Sequence, residues 1–233
     1  IGQWFGAYLP LIPRLKSSID EFYPGTKLAF TEFSYGGEND ITGAIAMADV
    51  LGIFGKYDVY LGTYWQLDSP SNCISAAYKM YRNCDGNNST FGNYSLSSVT
   101  SDSVSTSVYS SLNETGNEIH LIVINKKLNE NVNGNFSISS QQNIQSGRVW
   151  KLDGNSSEIS KINAVTNITN NSFSYTLPAG SVCHFVLQTG AVNVEAENQL
   201  PENYFLTAYP NPFNPSCRME YNVPINSNSH LDI

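Results

Sequence analysis

Residues 23–37 of the chain read YPGTKLAFTEFSYGG, and this stretch decides the fold prediction. Pro24-Gly25 is a turn signal, and the apolar run at 28–30 follows it. An apolar run that is bounded by breakers and too short for a helix is typical of a buried strand in a parallel sheet. Glu32 stands at the end of this predicted strand, before a polar loop rich in glycine.

The position of Glu32 has two interpretations. In an α/β barrel the C-terminal ends of the strands carry the catalytic groups, so a carboxylate there is a candidate for catalysis. The plainer alternative is a solvated or salt-bridged acid at the margin of a strand. Position alone does not separate the two.

Helical and strand patterns alternate in the first 85 residues. Apolar residues recur at helical spacing in three segments, and two short apolar runs lie between them. This order is typical of a parallel sheet. Two strands do not close a barrel, so this part is either a piece of an open sheet or the last quarter or more of a barrel; we favour the barrel. The predicted helices are 9–22, 41–54 and 73–82, and the predicted strands are 27–32 and 58–65.

Helical periodicity ends near residue 85. Short alternating runs then follow one another, separated by Asn, Gly and Ser turns, which is typical of an antiparallel β-sandwich. His120 and His184 lie in two of these runs, where we expect structural, hydrogen-bonded histidines rather than ligands. The predicted strands are 107–112, 119–125, 135–139, 147–152, 173–177 and 182–187.

The composition is polar but weakly charged, with 14% charged residues and a net charge of -8. Such a composition is common in secreted proteins that act on neutral polymers. The chain has no basic stripe to neutralise phosphates, which argues against nucleic acid. No stretch approaches 18 apolar residues, so we expect no membrane span. The chain begins without Met or a basic n-region, and we expect it to be the middle of a longer gene product.

The four cysteines show no CxxC spacing, so zinc and redox interpretations are weak. Cys73 and Cys84 could pair only if the geometry allows, and we favour free, buried thiols. Glu38, Asp40 and Asp49 are oxygen ligands near a helix start, but their spacing matches no recognised calcium loop. Asp40 is better explained as a residue that favours the helix N-terminus. We therefore predict no required cofactor, and a structural calcium is unsupported. The cysteines are Cys73, Cys84, Cys183 and Cys217.

A longer set of segments resembles a known family. Residues 23–37, DITGAIAMADVLGIFG at 40–55 and KMYRNCDG at 79–86 resemble glycoside hydrolase family 44, which comprises endo-β-1,4-glucanases and xyloglucanases. The similarity covers about the first 110 residues and fades inside the predicted sandwich. It implies α/β plus all-β architecture: the C-terminal portion of a TIM-like (β/α)8 barrel in residues 1–85, followed by an antiparallel β-sandwich in 86–190.

The resemblance also implies site residues. Glu32 matches the catalytic nucleophile, and Trp65 and Trp4 match aromatic residues that line the glucan cleft. Tyr35, in the loop after Glu32, is a further candidate for substrate binding. Aromatic rings stack on the apolar faces of sugars, which suits such a site. The alternative for Trp65 is core filling between strand and helix.

The general acid is missing from this pattern. A retaining glycosidase needs two carboxyl groups about 5–5.5 Å apart, an ionised nucleophile and a protonated acid. In the family the acid usually lies in an Asn-Glu-Pro context, and the chain has no such tripeptide. Glu21 lies on a predicted helix that points it away from the site, and Glu38 is not assigned as the acid. We expect the 233 residues alone to be inactive, so the function belongs to the intact parent enzyme.

Residues 191–233 form a third region. After an acidic connector, residues 209–216 read YPNPFNPS, and the region resembles the C-terminal sorting domain of type IX secretion in Bacteroidetes-like bacteria. The resemblance implies a linker and a partial sorting domain, the secretion machinery as partner, and an extracellular or cell-surface location. The alternative is a proline-rich linker to another module.

Three hypotheses follow for the function. The first is a secreted, monomeric, retaining endo-β-1,4-glucanase acting on cellulose-like or xyloglucan polysaccharide. The second is another β-glycanase with a similar barrel, such as a mannanase or a xylanase. The third is a non-catalytic carbohydrate-binding surface protein.

Overall fold

The computed structural model describes residues 10–65, 69–154 and 156–190, and the backbone of two further strands, 205–209 and 218–222. By its internal contacts the chain divides into two compact units, Ile1–Ala191 and Val192–Ile233. Trp4, Cys217 and most of the proline-rich string lie outside the described residues. In the described part, no helix is long and apolar enough to cross a bilayer.

The first unit opens with the predicted alternation of helices and strands. The elements are α1 (Leu11–Phe22), β1 (Ala29–Phe33), α2 (Ile41–Lys56), β2 (Leu61–Tyr64) and α3 (Cys73–Arg82). Strands β1 and β2 pair in parallel, in register from Ala29 opposite Leu61. The helix–strand order is thus confirmed, and the α3 bounds are those expected from the spacing.

Helix α2 begins where the sequence favours a start. Asp40 is its N-cap, and the Asp40 carboxylate accepts a hydrogen bond from the Thr42 backbone N–H at 2.8 Å. Gly43 then allows close packing, because a Cβ there would lie 2.1 Å from the Gly37 carbonyl oxygen. The cap and this glycine contact fix the angle at which the β1–α2 loop enters the helix.

A six-stranded antiparallel sheet follows, with the strand order β3-β4-β5-β10-β7-β8, and a separate pair of strands, β6 and β9, lies beside it. All six predicted strands of this part are present. Two more were missed: β3 has three residues, and β8 is a polar edge strand whose side chains are mostly exposed. The bounds are β3 (Tyr94–Leu96), β4 (Thr106–Leu112), β5 (Glu118–Asn125), β6 (Val132–Ser137), β7 (Ile144–Asp153), β8 (Ser156–Val165), β9 (Ser172–Leu177) and β10 (Ser181–Thr189).

The two central strands of the six-stranded sheet, β5 and β10, are buried on both faces. Side chains alternate between faces along a strand, so β5 and β10 supply two cores. One set packs against α2 and α3, including Ile122, Ile124, Val182 and Val186. The other packs against β6 and β9, including Leu121, Val123, Phe185 and Leu187. The predicted boundary at residue 85 is therefore a change of secondary structure within one compact unit; as a domain boundary it stays a prediction.

Three of the four cysteines are described, and all three are free and buried: Cys73, Cys84 and Cys183. Burial raises the pKa of each thiol, to about 12 for Cys183. Because the thiolate is the reactive form, these groups are chemically quiet at neutral pH. The expected free thiols are confirmed for these three residues.

The second unit contains two described strands, β11 (Phe205–Tyr209) and β12 (Arg218–Asn222). They pair antiparallel, with Phe205 opposite Asn222. The alternating pattern around Met219 and Tyr221 therefore forms the strand that the sequence favours. The sorting-domain identity of this unit stays a prediction.

Two histidines join α3 to the sheet. His184 Nδ1 lies 2.8 Å from the Met80 carbonyl oxygen, and His184 Nε2 lies 3.0 Å from His120 Nδ1. A carbonyl can only accept, so His184 Nδ1 carries the proton and donates it. His184 Nε2 therefore accepts from the N–H of His120. Both rings are buried and act as structural groups, as the sequence favours.

The histidine pair is held neutral. Burial lowers the pKa of His120 to about 4, and burial followed by the charge of His120 lowers the pKa of His184 to about 3. Glu118 Oε2 lies 3.8 Å from His120 Nε2 and would favour the charged form. Arg148 pairs with Glu118 at 2.7 Å and offsets that field, so burial decides the direction.

We expect this pair to make the fold sensitive to acid. The unfolded chain binds protons near the ordinary histidine pKa of about 6.5, whereas the folded chain does so only near pH 4 and below. The contribution to stability is complete above about pH 6.5 and is lost as the pH falls. The slope from two histidines is at most about 2.7 kcal/mol per pH unit.

The check is urea unfolding between about pH 7 and pH 4 in the chain and in His120→Gln. The variant should show a shallower loss of stability across this range, because one titrating group is gone. An unchanged slope would contradict the histidine origin. The carboxylates titrate in both proteins, so they do not account for a difference between the two slopes.

Candidate active site

Glu32 lies at the C-terminal end of β1, one residue before the strand ends. Its side chain is exposed, and so is that of Thr31 before it. The carboxylate is therefore at the edge of the parallel pair where barrel enzymes carry their catalytic groups. It is not buried in either hydrophobic core of the unit.

The backbone at Glu32 is left-handed. Thr31 pairs with Thr63 and Phe33 pairs with Tyr64, so Glu32 is an extra residue that forms a β-bulge. Its φ is 58°, which is uncommon for a residue with a long side chain. Its N–H donates to Thr63 Oγ1 at 3.4 Å. Bulges near the ends of strands re-aim side chains, and strained residues cluster at active sites.

The loop after β1 is tied to β2 through the hydroxyl of Tyr64. Ser34 Oγ donates to Tyr64 Oη at 3.2 Å, and Tyr64 Oη donates to Glu38 Oε1 at 3.1 Å. The Glu38 carbonyl oxygen accepts from the Cys73 backbone N–H at 2.7 Å, at the start of α3. Glu38 is therefore a loop anchor here.

Aromatic side chains surround this edge. Trp65 follows β2 directly, and its backbone N–H donates to the Phe33 carbonyl oxygen at 2.9 Å. Trp65 is 57% exposed in the described part of the chain. Tyr35 is 50% exposed, and its ring centroid lies 5.8 Å from that of Phe33. Glu32, Tyr35 and Trp65 thus share one edge; their functional roles stay predictions, and Trp4 lies outside the described residues.

Phenol groups add neutral hydrogen-bond donors to this edge. Burial, followed by the nearby phenol groups, raises the pKa of Tyr35 and of Tyr78. Both hydroxyls therefore keep their protons throughout the neutral range. A set of aromatic faces with neutral hydroxyls suits the apolar faces and hydroxyl groups of a sugar.

The acidic residues considered for calcium have partners within the protein. Asp40 caps α2, and the hydrogen bonds from Thr42 lower the pKa of Asp40. Asp49 lies on α2 and accepts from Tyr109 Oη at 2.5 Å, while Lys126 Nζ lies 2.8 Å from its other oxygen. Among the described residues, no three His, Cys, Asp or Glu side chains gather as metal ligands. Asp40 is a helix cap, as the sequence indicates.

A large cavity lies elsewhere in the unit. It has a volume of about 950 Å³ and is lined by residues from the C-terminal ends of α2 and α3 and from β3 and β4. None of its lining residues belongs to β1, β2 or the loop that follows Glu32. Its lining includes no carboxylate, so its chemistry does not support hydrolysis, and the Glu32 edge is the better candidate.

The sequence did not reveal the supporting residues Thr63, Tyr64 and Ser34. The roles of these side chains depend on the register of β1 and β2, and on the bulge that brings a side-chain hydroxyl to the Glu32 N–H. The only available signal was the polar and aromatic Thr-Tyr-Trp string at the end of the second strand. That string predicts a functional strand end but not these hydrogen bonds.

Comparisons with known proteins give matches in sequence. No protein-family model matches the chain. Endoglucanase A of Paenibacillus lautus is 53% identical over 189 residues, which are 81% of this chain and 27% of that protein. Beta-mannanase/endoglucanase A of Caldicellulosiruptor saccharolyticus is 44% identical over 179 residues, 76% of this chain and 13% of that protein.

Solved structures match as well. A Paenibacillus polymyxa xyloglucanase from glycoside hydrolase family 44 superposes with a TM-score of 0.77 at 52% identity, over 80% of this chain and 37% of that structure. A family 44 endoglucanase from Clostridium thermocellum gives a TM-score of 0.78 at 46% identity, over 81% and 37%.

The class of protein to which the chain is similar, in sequence and in fold, is that of the glycoside hydrolases. More narrowly, the chain is homologous to family 44 endoglucanases and xyloglucanases and shares their fold over about four fifths of its length. The match extends through 189 residues, so the expectation that similarity fades after about residue 110 was wrong. The chain spans 27% and 13% of the two curated relatives, so the activity of the whole protein is a proposal.

The left-handed backbone at Glu32 predicts that glycine is more stable than alanine at this position, which is the reverse of the usual order in a strand. Glu32→Gly should be more stable than Glu32→Ala by about 1 kcal/mol, because only glycine adopts a φ of 58° without a Cβ penalty. Both changes remove the carboxylate, so their difference isolates the backbone. The measurement is urea unfolding of the two variants.

Thr31, on the regular part of β1, provides the matched control. Thr31→Gly should be less stable than Thr31→Ala, since glycine weakens an ordinary strand position. If the order at position 32 were the same as at position 31, the left-handed bulge would not exist in solution.

Proposed function

We propose that the protein to which this chain belongs is a retaining endo-β-1,4-glucanase acting on cellulose-like or xyloglucan chains. The observation that carries the proposal is the position of Glu32. Its carboxylate is exposed at the C-terminal end of a parallel strand, and its backbone is in the left-handed region. It occurs in a chain that is 53% identical to a protein named endoglucanase A. The structure of a similar xyloglucanase with xyloglucan supports the substrate class.

In this proposal Glu32 is the nucleophile. A carboxylate oxygen of Glu32 bonds to the anomeric carbon while the bond from that carbon to the glycosidic oxygen breaks, and the leaving oxygen takes a proton from the general acid. Water then attacks the glycosyl ester and gives its proton to the same group, now the base. The Glu32–carbon bond breaks, and the carboxylate is restored.

The other parts of the proposed site have distinct roles. Trp65, Tyr35 and Trp4 supply rings for the apolar faces of the sugar units. The proposal assigns the general acid to a part of the parent protein outside these residues, because the family's usual Asn-Glu-Pro context does not occur among them. Strands β1 and β2 are then the last two strands of a (β/α)8 barrel.

A second candidate function has an observation in its favour. One relative is named beta-mannanase/endoglucanase A, and a bifunctional glucanase-xylanase from a metagenome library matches with a TM-score of 0.74 at 34% identity. A mannanase or xylanase activity of the same site is therefore the alternative.

Replacing Glu32 tests the nucleophile. In the full-length protein, Glu32→Gln should lower kcat on xyloglucan and carboxymethylcellulose by more than about a thousandfold, since the covalent step is lost. With Glu32→Gly, azide should restore turnover of dinitrophenyl β-cellobioside, because the small anion takes the place of the carboxylate. Unchanged activity of Glu32→Gln would overturn the glucanase proposal.

The same assay separates the substrates. The wild-type protein is compared on xyloglucan, carboxymethylcellulose, mannan and xylan, with Glu21→Gln on α1 as a carboxylate control outside the site. A kcat/KM highest on mannan or xylan would favour the second candidate. Binding of these polymers without turnover by the wild type would favour a non-catalytic protein.

We further propose that residues 191–233 direct export by type IX secretion to the medium or the cell surface. The support is the YPNPFNPS string at 209–216 and the compact second unit that includes it. Removing residues 200–233 in a host with this pathway should retain the protein inside the cell, as detected by immunoblot of cell and medium fractions. Secretion equal to that of the intact protein would contradict this role.

A further inference from the structure

The hydroxyl of Tyr64 closes the loop that follows Glu32. Ser34 and Glu38 stand on either side of the Gly36-Gly37 turn, and both hydrogen-bond to Tyr64 Oη, at 3.2 and 3.1 Å. Gly36 and Gly37 have φ values of 70° and 71°, which glycine adopts without strain. One hydroxyl from β2 therefore bridges both ends of a turn that is intrinsically free to move.

The three side chains form a series of hydrogen bonds in which each donor points the same way. Ser34 donates to Tyr64, and Tyr64 donates to the Glu38 carboxylate, which can only accept while it is ionised. Hydrogen bonds in such a chain polarise and strengthen one another. The end at Glu38 is a charge-assisted bond, the stronger kind.

Both ends of this series of hydrogen bonds are attached to rigid parts of the unit. Tyr64 pairs with Phe33 across the two strands, and the two rings meet edge to face at 5.8 Å. At the other end, the Glu38 carbonyl oxygen accepts from Cys73 N–H, and Asp40 caps α2. The loop from Ser34 to Asp40 is thus held between β2, α2 and α3.

We propose that Tyr64 is a positioning residue for the active edge: its hydroxyl, through Ser34 and Glu38, holds the loop that carries Tyr35 and fixes the chain direction immediately after Glu32. The inference rests on the proposed glycosidase function. Tyr64 acts through these residues and does not take part in the covalent step.

The exposure of its two partners distinguishes the positioning role of Tyr64 from a contribution to the stability of the fold. Ser34 is exposed and Glu38 is half-buried, so both groups can be hydrated when the Tyr64 hydroxyl is removed. The cost to folding should be that of a surface hydrogen bond, about 1 kcal/mol. A displacement of about 1 Å at a catalytic group, by contrast, can lower the rate about a hundredfold.

The test is Tyr64→Phe in the full-length protein, with Tyr60→Phe as the matched control. Tyr60 precedes β2 at its other end, and its ring meets Lys27 Nζ at 4.2 Å. Tyr64→Phe should lower kcat on xyloglucan at least about tenfold with a melting temperature within a few degrees of wild type, and Tyr60→Phe should leave both unchanged.

A double-mutant cycle with Glu38→Ala, which removes the acceptor of the Tyr64 hydroxyl, identifies the route. If Tyr64 acts through Glu38, Tyr64→Phe should cause less than about a twofold further loss in the Glu38→Ala background, since neighbours in one network are not additive. Full additivity, or a kcat of Tyr64→Phe within twofold of wild type, would overturn the proposal. So would a loss of activity that parallels a loss of folded protein.

Glu32→Gln in the same assay keeps the two failures distinct. An inactive Glu32→Gln with an active Tyr64→Phe removes only the positioning role. An active Glu32→Gln removes the proposed function, on which that role depends.

Discussion

The burial of both faces of one antiparallel sheet is the constraint on which the unit depends. In β10, Val182, His184 and Val186 face the helices, while Phe185 and Leu187 face β6 and β9. A shift of one residue in register would exchange these two sets. Each large apolar side chain contributes about 1.5–3 kcal/mol by leaving water, so the register is strongly specified. Helices α2 and α3 are thereby fixed, and with them the loops that reach β1 and β2.

On this frame the site can carry local strain. The left-handed residue at Glu32 costs about 1–2 kcal/mol, which is small beside the core that packs α2 and α3 against the sheet. The strain serves a purpose if the extra residue of the bulge turns the carboxylate out of the regular alternation of β1. An unstrained strand would need no bulge at this position.

The sequence predicted the helices and strands that depend on a short-range pattern of apolar residues. Helix α3 and the two central strands, β5 and β10, have strong periodicity and were located within two residues. Strand β8 was missed because an edge strand needs few apolar side chains, and its Ser, Lys and Asn residues are typical of turns. Glu32 was singled out because an acid follows a short apolar run bounded by breakers, and its role as nucleophile, which the family resemblance implies, stays a prediction. Tyr64 was not found, because its role depends on which side chains the parallel register brings to its hydroxyl.

The loop from Ser34 to Asp40 connects the Glu32 edge to α2. Its hydrogen bonds explain why it contains both glycine residues and the carboxylate of Glu38. Gly37 must approach Gly43 on the first turn of α2, so neither position tolerates a side chain that could itself fix the loop. Flexible residues at the turn must then be held from outside. Glu38 does this twice, with its carboxylate toward Tyr64 and its carbonyl oxygen toward Cys73. The buried sheet fixes α2 and α3, and this loop is held to both helices. The loop therefore fixes the position of the residues that follow the proposed nucleophile.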